Sequence, residues 1–152
     1  MIIVTRVDVE LVAAKQTSFY YAGDISVSFF NSDDIVDICN AQQADMIAFS
    51  GDLIDVRHSE LTPQITDLLS ELSARDGVFA VTGNHDRGVY VRDSLTITTA
   101  YTTSQVIATE KRIGWKVLDN DTQYIRRGKD SIAITGISFS AQLQDKRHSS
   151  NL

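Results

Sequence analysis

The sequence predicts one α/β domain with a central, largely parallel sheet and flanking helices. Short apolar runs rich in β-branched residues alternate with segments of helical periodicity, the order that builds parallel sheets. The glycines that close three of these runs, Gly23, Gly51 and Gly83, stand about thirty residues apart, the length of one βαβ unit. A 152-residue chain with 43% hydrophobic and 22% charged residues can bury a core of its own. The domain is expected over residues 1–141, with a polar tail at 142–152.

Each element has its own warrant. Ile2 to Val12 is rich in β-branched residues, with apolar Val7, Val9 and Leu11 in partial alternation, and reads as an edge strand. Phe19-Tyr20-Tyr21-Ala22 is a second strand, closed by Gly23-Asp24. Ser32-Asp33-Asp34 starts a helix with acids in its first turn, and Ile35, Ile38 and Cys39 share one face. Asp45 to Ser50 is an apolar strand that ends at Gly51. A helix follows Thr62 with Pro63 in its first position, and Ile65, Leu68, Leu69 and Leu72 make its core-facing stripe. Gly77 to Thr82 is the next strand, ending at Gly83. Ala100 to Ile113 is helical and Trp115 to Leu118 a strand. Gln123 to Arg127 and Ser131 to Ile137 flank Arg127-Gly128-Lys129-Asp130 as a hairpin.

Right-handed crossovers would set the strands ending at Asp24, Asp52 and Asn84 side by side, carboxyl ends on one edge. Open α/β sheets bind ligands in that crevice. Two strings there carry chemistry: Gly51-Asp52-Leu53-Ile54-Asp55 and Gly83-Asn84-His85-Asp86. Asp52 is a hard carboxylate able to bridge two divalent cations, and Asn84 offers a carbonyl oxygen that coordinates without adding charge. His85 can donate a proton to a leaving oxygen, with Asp86 orienting its ring. Read singly, Gly83-Asn84 is a turn and Asp52 a helix cap. Both strings at βαβ spacing, each after an apolar strand, favour a metal site instead.

These strings resemble the GDxxD and GNHD motifs of calcineurin-like metallophosphoesterases, and the order of elements from Asp24 to Ile137 is similar to that family's. The resemblance implies a partial metallophosphoesterase-type β-sandwich. It implies two divalent metal ions, one held by Asp24 and Asp52 and the other by Asp52 and Asn84, with one of the two sites weak or empty. It makes His85 and Asp86 the catalytic pair and Asp55 structural. Mn, Mg, Fe or Zn could serve, with Mn or Mg favoured by carboxylate-rich donors. Trp115-Lys116-Val117-Leu118 and Gly128 to Gly136 resemble the branch of bacterial membrane-associated phosphohydrolases that act on lipid-linked or nucleotide-type phosphoesters. The family's opening Asp-x-His is here Asp24-Ile25-Ser26, and serine is a poor metal ligand. The family's later metal histidines have no counterpart, since the histidines are His58, His85 and His148. His58 is expected in a solvated loop and His148 in the tail.

The expectation is therefore a divalent-metal-dependent phosphoesterase, weak or inactive as this chain alone, matching the first half of the family pattern. The alternative is a non-catalytic domain of that fold acting as a binding or structural module. The net charge of -6 argues against a nucleic-acid partner, which needs a basic face. A small-molecule or lipid-linked phosphoester is the expected substrate. Self-association through exposed apolar surface is expected too. The lone Cys39 excludes an internal disulfide and suits the cytoplasm. Met1 to Val4 is too short a run to span a membrane before Arg6 interrupts it, which leaves peripheral membrane contact open.

Overall fold

A computed structural model describes residues 3–9, 17–23, 32–90 and 99–139. Its centre is a five-stranded sheet in the order β1-β2-β3-β4-β5. The strands are β1 (Ile3–Val9), β2 (Thr17–Gly23), β3 (Met46–Phe49), β4 (Val78–Ala80) and β5 (Lys116–Val117). β1 is an edge strand and runs antiparallel to β2, whereas β2 through β5 are parallel. Three helices make the crossovers: α1 (Ser32–Ala41), α2 (Pro63–Leu69) and α3 (Thr99–Arg112). Ala22 pairs with Phe49, Phe49 with Ala80 and Ala80 with Val117, so the carboxyl ends of the parallel strands are level along one edge.

Period-two alternation along β3 and β4 divides the interior into two cores. Ile47, Phe49, Val78 and Ala80 point to one face, where Ile35 and Cys39 of α1, Leu69 of α2, Val106 of α3 and Trp115 close over them. The Phe49 and Trp115 rings meet at 5.2 Å. Met46 and Phe79 point to the other face, against Leu118 and Ile125 with Ile132 and Ile134 alongside. That second core is roofed by a separate antiparallel hairpin, β6 (Asp121–Arg127) and β7 (Asp130–Gly136). The layers are thus helices, parallel sheet and two-stranded sheet, a partial form of the expected sandwich. Each fully buried aliphatic side chain in them contributes roughly 1.5–3 kcal/mol of burial.

Local chemistry explains the boundaries. Thr62 caps α2, its hydroxyl accepting from Ile65 N at 3.4 Å, and Pro63 needs no donor at the first helical position. The hairpin turn has Gly128 at φ 60 in a two-residue loop, as a turn with glycine at its first central position requires. At the amino-terminal edge, the Arg127 guanidinium pairs with Asp76 and lies 3.8 Å from Asp45. Lys116 donates to the Asp76 carbonyl at 2.5 Å and sits 4.8 Å over the Phe79 ring. This charge cluster fastens the hairpin to the ends of β3 and β4.

One helical face differs from its expectation. Among the described side chains of α1, Ile35, Val36 and Cys39 are buried, while Ile38 is 51% exposed. The stripe is centred between Ile35 and Val36, which leaves Ile38 on its outer flank. The expected 142–152 tail lies outside the described residues. Among the described residues, no helix is long and apolar enough to cross a membrane.

Candidate functional site

The chain leaves β3 and β4 through two loops that meet at the carboxyl edge. Gly51 takes φ 99, and a side chain there or at Gly83 would strike the other loop, Gly83 N in one case and the Asp52 carboxylate in the other. Only glycine permits so close a backbone approach. Asp52 itself has φ 61, a left-handed conformation that costs a non-glycine residue energy and recurs at functional sites.

Asp86 fastens the two loops together. Its carboxylate is fully buried and accepts four backbone N–H groups: Asp52 at 2.7 Å, Leu53 at 2.8 Å, Ile54 at 3.3 Å and Gly83 at 2.9 Å. Burial pushes its pKa up, and the N–H bonds counter that shift. The orienting contact expected between Asp86 and the His85 ring is absent, because those amides take both carboxylate oxygens. The ring rests on Asp55 instead. His85 Nδ1 lies 2.5 Å from the Asp55 carbonyl and 3.5 Å from its carboxylate. A carbonyl only accepts, so Nδ1 carries the hydrogen and Nε2 is left for chemistry. Asp55 is held in turn by Glu60, whose carboxylate accepts from the N–H groups of Asp55, Val56 and Arg57 at 2.7–2.9 Å.

The structure therefore brings Asp52, Asn84, His85 and Asp86 together. His85 N–H donates to Asp52 Oδ1 at 3.0 Å, and Asn84 Nδ2 donates to the Tyr90 hydroxyl at 3.0 Å. Asp24 and Ser26 lie outside the described residues, as does His148. β2 ends at Gly23, level with Phe49 on β3. His58 is half-buried, not solvated: Nε2 lies 2.9 Å from Thr109 Oγ1, and burial with nearby Arg112 lowers its pKa. It docks the short His58–Glu60 turn on α3.

Asp52 and Asn84 offer oxygen donors on neighbouring strand ends, the hard donor chemistry that suits a divalent cation. Among the described residues, no group of three or more His, Cys, Asp or Glu side chains gathers to hold one. Glu60, Tyr90 and Glu110 escaped the reading of the sequence. Glu110 left a trace: with Thr102, Val106 and Thr109 it occupies the buried stripe of α3, an unusual place for a carboxyl. Both its oxygens are buried without partners, and burial, then the charge of Asp86, push its pKa up to about 9.

The sequence model of calcineurin-like phosphoesterases matches residues 17–138. This chain belongs to the calcineurin-like phosphoesterase family. The match spans β2 through Ser138, so both motif loops of this calcineurin-like phosphoesterase domain and its roofing hairpin fall inside it. No curated protein and no solved structure matches the chain. Members of the family generally use divalent metals, in keeping with the oxygen donors on the two loops.

Proposed function

We propose that this domain hydrolyses phosphoesters, diesters in particular, with Mn or Mg bound at the carboxyl edge of its sheet. The observation that carries the reading is the fusion of the Asp52 and Asn84 loops through one buried carboxylate, Asp86. Asp24, Asp52 and Asn84 would hold the ions. A bound divalent cation polarises the phosphoryl oxygens and makes a water more acidic.

The remaining work belongs to the chain. Asp55 holds the His85 ring by Nδ1, which leaves Nε2 to contact a phosphoryl oxygen. With Nδ1 already protonated, Nε2 carries a proton only in the imidazolium, and it is that form which can protonate a leaving oxygen. Asp86 keeps both loops in register and does not touch substrate. With Ser26 in place of a histidine ligand, one ion would be held loosely and turnover would be slow. The substrate is a small or lipid-linked phosphoester met in the cytoplasm or at a membrane face.

Calorimetry with Mn2+ and hydrolysis of an aryl phosphodiester test the reading. Asp52→Asn keeps the oxygen that accepts from His85 N–H and tolerates the left-handed backbone. It is expected to change stability by less than about 1 kcal/mol while abolishing Mn2+ binding and Mn2+-dependent turnover. Unchanged Mn2+ affinity in Asp52→Asn, or equal turnover without metal, refutes it.

A further inference from the structure

We propose that Tyr90 is a positioning residue of this site, holding the Asn84 amide and the His85 ring at once; the assignment rests on the phosphoesterase reading above. Two separate contacts carry it. The phenol oxygen lies 3.0 Å from Asn84 Nδ2, and the phenol ring lies 4.5 Å from the His85 imidazole, inclined by 37°. Tyr90 is nevertheless 50% exposed and belongs to neither core. Among the described residues, its hydrogen bond and its ring contact are both to motif side chains.

The amide contact has chemical direction. Nδ2 can only donate, so the phenol oxygen accepts and Oδ1 of Asn84 keeps its lone pairs for a cation. A free amide turns about a broad, two-fold torsion and as readily presents its N–H2 group. The reverse arrangement, with the phenol donating to Oδ1, would spend the oxygen a cation needs. Loading of the cation and the Tyr90 contact thus favour the same orientation. The ring contact completes the hold on His85: Nδ1 is pinned to Asp55, one ring face rests on Tyr90, and Nε2 stays in place.

The loop that carries Tyr90 is itself anchored. Gly88 N–H donates to the His85 carbonyl at 2.9 Å, and Arg87 bonds Thr82 Oγ1 at 3.2 Å and Asp119 at 2.8 Å. Gly88 takes φ 64, and a side chain there would strike Thr102 of α3. Tyr90 therefore reaches the motif from a fixed base two residues away.

Two variants separate the contacts. Tyr90→Phe keeps the ring and removes the hydroxyl; Tyr90→Leu removes both. In metal-free protein, the Asn84 side-chain amide resonances are expected to shift and broaden in Tyr90→Phe, while its melting temperature is unchanged. Mn2+ affinity measured by calorimetry is expected to fall about tenfold. At saturating Mn2+, Tyr90→Phe recovers kcat on an aryl phosphodiester, whereas Tyr90→Leu loses about tenfold in kcat at unchanged KM. Unchanged amide resonances overturn the proposal whatever the activity, and so does a loss of affinity that merely follows a loss of stability. If the wild-type protein binds no Mn2+, the phosphoesterase reading fails, and the amide resonances still decide the role of Tyr90.

Discussion

Asp86 and Asp52 are both motif acids, yet their surroundings give them opposite duties. Asp52 is partly exposed, holds a left-handed backbone and accepts one N–H. Asp86 is fully buried and accepts four, two on each oxygen. An amide in its place would turn a donor toward two of those N–H groups and strand them. Asp86→Asn is therefore expected to destabilise the protein by about 2–4 kcal/mol in urea unfolding, in contrast to the nearly neutral Asp52→Asn. The sequence set Asp52 on the metal and Asp86 on the His85 ring; it missed the true hold of Asp86 because those partners are backbone groups that every residue possesses. Tyr90 was invisible for a related reason: its contacts depend on how the chain turns after Asp86, and the motif spacing does not encode that turn. Glu60 likewise acts on the amides of residues 55–57, which no residue type reveals.

Elements were more legible than contacts. The apolar runs ending at Gly51 and Gly83, the Thr62-Pro63 helix start and the Gly128 turn each follow from local chemistry, and each stands where the pattern put it. The α1 stripe was misjudged by one position because Ile35, Val36, Ile38 and Cys39 offer two overlapping faces, and packing chose between them. The β6–β7 hairpin shows what pattern leaves out. A two-stranded sheet is marginal by itself, and this one is held by Ile125, Ile132 and Ile134 and by the Arg127 cluster. Arg127 and Asp76 are paired and partly buried, so removing Arg127 leaves the Asp76 carboxylate without that cation. Arg127→Met is expected to cost about 1–3 kcal/mol, and a double-mutant cycle with Asp76→Asn is expected to return most of that as coupling. Additive effects in that cycle would show the hairpin to be held by its apolar face alone.

Across the whole molecule, Glu110 makes stability depend on pH. In the unfolded chain its carboxyl ionises near 4.5; in the folded chain, burial pushes it up to about 9. Between those values the folded protein keeps a proton that the unfolded chain gives up, so stability falls as pH rises. Each pH unit in that window costs up to about 1.4 kcal/mol. Glu110→Gln removes the titration, so its melting temperature is expected to exceed that of the wild type increasingly from pH 5 to pH 8. A constant difference would place the Glu110 pKa outside that window. The reach of Asp86 has one more consequence, for the order in which the protein is built. Its bonds to residues 52–54 close loops of 32–34 residues, and those amides find their shared acceptor only at position 86. A chain that ends before residue 86 lacks the acceptor for those amides, and elements as short as β3 and α2 do not hold their shape alone. The first motif loop therefore takes its final form only once the second is present.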